Sequence, residues 1–113
     1  MEMVESVEIN RGDIVLVSLD PTQGQEIRKT RPCVVVSPNE LNKHLRTYIV
    51  APMTTGSYSY PYRVECRFKR KSGHIVLDQI RTMDRNRIVR PLGSLHSTVI
   101  EKALGVLQEM FAV

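Results

Sequence analysis

Short runs of β-branched residues, each closed by a turn residue, constrain this chain more than any other feature. "GDIVLVSLD" (12–20) is apolar on both faces, and "PCVVVSP" (32–38) repeats the pattern between two prolines. Near-continuous Val, Ile and Leu of this length is the mark of a strand buried on both sides. "RTYIVAPMT" (46–54) predicts a third strand, "YPYRVECRF" (60–68) an alternating fourth, "HIVLDQIRTM" (74–83) a fifth and "RIVRPLG" (87–93) a short sixth. Pro32, Pro38, Pro52, Pro61 and Pro91 are expected at strand ends or edges, because proline has no N–H to give a ladder. "NELNKHL" reads as a short helical turn with Asn39 as its N-cap, and "RKSG" as a turn.

Helical periodicity is clear in the last segment, "STVIEKALGVLQEMFAV". Ile100, Leu104, Leu107 and Phe111 fall on one face, and Thr98 and Glu101 have capping-box spacing. Many short strands followed by one helix predict a mainly β fold with a C-terminal helix, a strongly bent antiparallel sheet or partly open barrel lidded by that helix. The 113 residues, 42% of them hydrophobic, suit one domain with a real core. No repeat, low-complexity tract or Gly/Ser linker divides the chain. Residues 1–10 are expected to form a flexible acidic tail, and 11–113 a single domain.

Several function classes are excluded early. No apolar stretch approaches the roughly 20 residues that span a bilayer, and the acidic start lacks the apolar run of a signal peptide. Cys33 and Cys66 sit inside strand-like runs without a C-x-x-C pair, as buried reduced cysteines of a cytoplasmic protein do. His44, His74 and His96 show no paired spacing, so no metal site is predicted. Neither a P-loop nor G-x-G-x-x-G occurs, so no nucleotide cofactor is expected. Net charge is +4, but nine of the sixteen Lys and Arg lie between Arg63 and Arg90, against Glu65, Asp78 and Asp84. That concentrated field suits a polyanionic partner, although a solvated cationic face on an ordinary protein would look the same.

The connection "DPTQGQEIRKTRP" (20–32) is the segment with chemistry. Hairpin loops usually take about 2–5 residues, and this one takes about a dozen, with Glu26, Gln25, Arg28, Lys29 and Arg31 on it. Pro32 restricts Arg31 to extended backbone. Arg31 therefore stands on a fixed base at the mouth of a buried strand, offering a donor fork that grips phosphate oxygens. Gly24 permits a sharp bend. One carboxylate and one fixed arginine form a minimal acid–base and charge-stabilising set. Thr54 and Thr55 end the third strand before Gly56; their hydroxyls can donate to a phosphate oxygen or satisfy local backbone groups. Asp78 interrupts an apolar run, so it is either paired, with Arg81, or faces a cleft. In a continuous strand it would share a face with Val76, and Leu77 with Gln79.

"RGDIVLVSLDPTQGQEIRKTRPCVVVSP", "VAPMTTG" and "DQIRTMDRNRI", in this order and spacing, resemble the MazF/PemK/Kid toxins of bacterial toxin–antitoxin systems. The resemblance runs from Arg11 to the final helix. It implies an SH3-like barrel, of the type also found in the gyrase toxin CcdB, working as a homodimer. It implies a metal-independent endoribonuclease that cuts single-stranded RNA, chiefly mRNA, at short motifs and leaves 2′,3′-cyclic phosphate and 5′-hydroxyl ends. The implied partner is a MazE-like antitoxin whose acidic flexible tail covers the RNA groove.

By position, the resemblance makes Arg31 the chief catalytic residue, Thr54 the catalytic hydroxyl with Thr55 beside it, and Glu26 or Asp78 the general base. Relatives that use the aspartate often carry an arginine where this chain has Val76, and some place a histidine where this chain has Gln25. Both departures tilt the base toward Glu26 with Arg31, which leaves Asp78 to bind RNA or brace an arginine. RNA contacts are expected from Gln25, Arg28 and Lys29 on the loop and from Thr55, Gln79, Arg81 and Arg85. The run Arg63 to Lys71, with Lys69, would track phosphates. Tyr58, Tyr60 and Tyr62 are candidates for base stacking, though their alternation equally suits one face of a strand. Two other readings share this fold: a CcdB-like gyrase poison and a non-catalytic RNA-binding barrel.

Overall fold

A computed structural model describes residues 8–55 and 60–113. Seven strands and two α-helices form among them: β1 (Asp13–Ser18), β2 (Thr30–Val35), α1 (Asn39–His44), β3 (Thr47–Thr55), β4 (Arg63–Phe68), β5 (Lys71–Val76), β6 (Arg81–Asp84), β7 (Ile88–Ser94) and α2 (Ser97–Met110). All pairings are antiparallel. The sheet runs β4-β5-β3-β2-β1-β7, with β6 on the first half of β3. Strand β3 spans the bend. Its start pairs β6 through Thr47↔Asp84, its middle pairs β2 through Cys33↔Pro52, and its end pairs β5 through Thr54↔His74.

Alternation along the central strands separates two cores. Val15 and Val17, Cys33 and Val35, and Val50 face one, together with Ile9, Leu19, Tyr48, Met83 and Ile88. Ile14, Val34, Ala51 and Met53 face the other, with Val64, Ile75 and Leu77. Helix α2 covers this second core. Ala103 is fully buried there, and Val99, Ile100, Leu104, Leu107 and Met110 pack around it. Near-complete apolarity in "GDIVLVSLD" therefore has the expected cause, a strand with a core on each face. The edge strands β4 and β7 are not hydrogen-bonded to each other, but the Phe68 ring lies 3.5 Å from where a Cβ on Gly93 would stand. The barrel is thus open in its hydrogen bonding there, with the Phe68 ring lying across the gap against Gly93.

Several expectations are corrected. The predicted fifth strand is broken: β5 ends at Val76, a 3-10 turn spans Leu77–Gln79, and β6 restarts at Arg81. Pro32 and Pro52 lie inside strands, opposite Leu16 and Cys33, whereas Pro91, opposite Val15, is on the edge strand β7 as expected. Register shifts between β1 and β7 accommodate Pro91 on an edge strand. The hairpin turn is Lys69 and Arg70, both at positive φ, not "RKSG". Asn39 does not cap α1; its side chain accepts from the Arg11 N–H at 2.7 Å instead. Helix α2 begins before Thr98, and His96 caps it by accepting from the Thr98 N–H at 3.2 Å. Phe111 falls past the last turn of α2 and is 69% exposed. Ile9, assigned to the tail, packs in the first core, while residues 1–7 lie outside the described residues. No helix among the described residues is long and apolar enough to cross a membrane.

Candidate active site

Arg31 belongs to β2, opposite Val17, so its backbone is extended as Pro32 requires. Its Nε donates to the Arg28 carbonyl at 3.2 Å, which fixes the guanidinium at the exit of the long loop. Thr54 and Thr55 close β3 on its β5 side. These residues meet in one cleft of about 340 Å³, which Lys69 and Lys71 also line, over a floor that includes Met53, Phe68 and Leu92. The Thr54 Oγ1 is buried and has no hydrogen-bond partner among the described residues. A buried hydroxyl left unsatisfied costs about 1–3 kcal/mol.

Gly73 makes this arrangement possible. It pairs with Thr55, and a Cβ on it would stand 1.9 Å from the Thr54 carbonyl oxygen. Only a residue without a Cβ lets β5 approach the end of β3 this closely. Its signal in the sequence is a glycine within a strand, concealed here by the reading of "RKSG" as a turn.

The carboxylates lie elsewhere. Glu26, Gln25, Asp78, Gln79 and Arg81 line a second, adjacent cleft of about 480 Å³, floored by Leu19, Ile27, Pro52 and Ile80. The structure thus divides the expected catalytic set: Arg31 and Thr54 on one side, Glu26 and Asp78 on the other. Glu26 is exposed, and its carboxylate accepts from the Gln23 N–H at 2.7 Å, capping a turn in the loop. Glu26 is therefore solvated, not enclosed under the loop, in this conformation. Asp78 sits in the 3-10 turn and is held by Arg63, not Arg81: Nε to Oδ1 is 3.0 Å and Nη2 to Oδ2 is 3.1 Å. These bonds hold its pKa below the ordinary carboxylate range, against a smaller opposing effect of burial. Both candidate bases border the same cleft, but both Asp78 oxygens are engaged by a cation.

The remaining expected contacts divide in the same way. Arg28 is exposed on the loop, and Lys29 there has φ 69°. Arg63 stands 5.9 Å from the centroid of Tyr60, which is 52% exposed, and Tyr62 is also exposed. Neither tyrosine is in a strand, so the strand-face alternative does not hold for them. Tyr58 lies outside the described residues. Gln79 uses its carboxamide oxygen on the Ile27 N–H at 2.9 Å. Arg85 is a correction. It is buried, donates to the Tyr48 hydroxyl and lines neither cleft, so its charge is committed to the fold.

Cys33 and Cys66 are free thiols. Burial pushes Cys33 up to about 12, with Arg81 and Arg31 pulling weakly the other way, and burial also raises Cys66. Neither is primed as a nucleophile. Among the described residues no three of His, Cys, Asp and Glu converge as a metal-binding group.

Comparison with known proteins places the sequence and the fold. Residues 10–111 match the family described as PemK-like, MazF-like toxin of type II toxin-antitoxin system. The chain is 39% identical over 100 residues to the endoribonuclease MazF of Staphylococcus epidermidis, covering 82% of this chain and 83% of that one. It is 36% identical over 115 aligned positions to the endoribonuclease toxin ChpB of Escherichia coli, covering 94% and 97%. Crystalline MazF from Deinococcus radiodurans has the same fold, with a TM-score of 0.84 at 24% identity over 96% of this chain and 100% of that one. So does MazF in the MazE-MazF complex (Form-II) of that organism, with a TM-score of 0.76 at 21% identity over 96% and 99%. With the partly open barrel of the MazF structures and a match over nearly its whole length, the chain belongs to the PemK-like, MazF-like toxins of type II toxin–antitoxin systems.

Proposed function

We propose that this chain, an endoribonuclease toxin by its family, cleaves single-stranded mRNA without a metal, using Arg31 and Thr54 at the scissile phosphate and Glu26 as general base. The 2′-hydroxyl loses its proton and attacks the adjacent phosphorus; the P–O5′ bond breaks, leaving a 2′,3′-cyclic phosphate, and the departing 5′ oxygen takes a proton from water. Negative charge grows on the phosphorane oxygens, and Arg31 and the Thr54 hydroxyl neutralise it. One such preorganised donor is typically worth about 3–4 kcal/mol. Arginine's pKa, above about 12, suits it to that role rather than to proton donation.

The observation that carries the reading is the shared cleft of Arg31 and Thr54, with Lys69 and Lys71 also lining it and the Thr54 hydroxyl without a partner among the described residues. Asp78 serves as a brace for Arg63, because its lowered pKa makes it a weaker proton acceptor. Glu26, held at the second cleft, takes the proton of the 2′-hydroxyl of RNA lying across both clefts. Gln25, Arg28, Lys29, Thr55, Tyr60, Lys69 and Arg81 hold the strand. The gyrase-poison and non-catalytic readings have no comparable support from the relatives.

The toxin acts as a cytoplasmic homodimer and is neutralised by a MazE-like antitoxin; a structural neighbour that is a MazE-MazF complex supports that partner. The test is incubation with single-stranded RNA in EDTA, with the ends mapped. Cleavage that survives chelation and leaves cyclic phosphates is the expected result. Intact RNA across diverse sequences would sink the proposal.

A further inference from the structure

We infer that Gln79 is a positioning residue: it latches the loop Leu19–Lys29 to the 3-10 turn after β5 and thereby sets where Glu26 stands over the second cleft. This rests on Glu26 acting from that loop, as proposed above.

Most of the loop's polar contacts are local. The Leu19 N–H donates to the Lys29 carbonyl at 3.0 Å, Lys29 N–H to Asp20 Oδ1 at 3.1 Å, and Glu26 N–H to the Gln23 carbonyl at 3.0 Å. Arg87 donates to the Ser18 and Asp20 carbonyls and so holds the loop's entrance. Near the tip, the long-range tie is the Ile27 N–H to Gln79 Oε1 at 2.9 Å, across 52 positions of sequence. It fixes the residue next to Glu26. The Ile27 side chain, half-buried against the first core, is held at the same point.

The other end of the latch is rigid. Leu77 is fully buried and its N–H donates to the Tyr62 carbonyl at 3.2 Å, while Asp78 grips Arg63 through both oxygens. Gln79 thus projects from a turn fastened on both preceding residues. A neutral carboxamide accepts the Ile27 amide without adding a further negative charge to a cleft that already holds Glu26 and Asp78. Exposed segments with few buried contacts open readily, so loss of this bond releases the tip.

Two full-length variants test it, Gln79→Leu and Gln79→Glu, the second keeping an acceptor oxygen. Amide hydrogen exchange at Ile27 is followed by NMR, with Leu19 as the internal control. Gln79→Leu is expected to speed Ile27 exchange roughly five- to tenfold, the scale of one hydrogen bond, with Leu19 unchanged. Gln79→Glu is expected to keep Ile27 protected. On single-stranded RNA, Gln79→Leu should lower kcat more than it changes KM. Unchanged Ile27 exchange in Gln79→Leu overturns the latch, and faster exchange with an unaltered kcat overturns the positioning role. The exchange measurement needs no substrate, so a wild-type chain that fails to cleave RNA would contradict the ribonuclease reading separately.

Discussion

At the scale of single residues, Gly73 and Asp78 carry the sharpest expectations. A methyl group at Gly73 would meet the Thr54 carbonyl at 1.9 Å, and the obstacle is backbone, which cannot rotate away. Gly73→Ala should destabilise by about 1–3 kcal/mol, the usual cost of overpacking. It should also reduce RNA cleavage in the fraction that remains folded, because the end of β3 carries Thr54; denaturant titration and single-turnover rates at a temperature where the variant is folded check both. Asp78 gives a pH signature. Its folded pKa is depressed by Arg63, so its contribution is present above the unfolded value, about 3.9, and is lost as pH falls through the lower folded value. Asp78→Asn should therefore flatten stability against pH below about pH 4. At neutral pH it should cost no more than about 1 kcal/mol, because the pair is solvent-screened. Urea midpoints from pH 2.5 to 7 measure this.

At the scale of elements, strain and slack mark different places. Lys69 and Arg70 turn the β4–β5 hairpin at φ 53° and 67°, a conformation that ordinary side chains adopt at a cost of roughly 1–2 kcal/mol each. Asn-Gly would turn there without that cost, yet Lys69 lines the cleft with Arg31 and Thr54, so the strained turn presents a cation where a phosphate would lie. Helix α2 shows slack. Gly105 is exposed in its interior and an added Cβ would meet nothing within 4 Å. Gly105→Ala should stabilise the chain by about 0.5–1 kcal/mol, with no change in activity; thermal unfolding and an RNA cleavage assay test the two halves of that statement.

At the scale of the whole molecule, two adjacent clefts on one bent sheet divide the chemistry, with cations and a hydroxyl in one and carboxylates in the other. The succession of strands along the chain, the doubly buried centre and the lidding helix are legible in the sequence, because near-continuous and alternating apolar runs and one period-3.6 run encode them locally. The break at Leu77–Gln79 is not, since "HIVLDQIRTM" has strand composition throughout; what breaks it is Asp78 turning out to reach Arg63, 15 positions away. The extended backbone of Arg31 is legible because Pro32 fixes it from the next position. Arg85 is misleading for the opposite reason: a lone cation in a basic run gives no local sign that Tyr48, 37 positions earlier, buries it. The division between clefts depends on β3 passing from one half of the barrel to the other near Pro52, a property of the fold and not of any segment.

The most direct test of the account is the single-turnover cleavage rate of Arg31→Ala on a defined single-stranded RNA in EDTA, with circular dichroism to establish the fold. If Arg31 stabilises the phosphorane from the first cleft, the rate should fall on the order of 10²–10³-fold with the fold retained. A folded Arg31→Ala variant that cleaves within a few-fold of the wild type would contradict it.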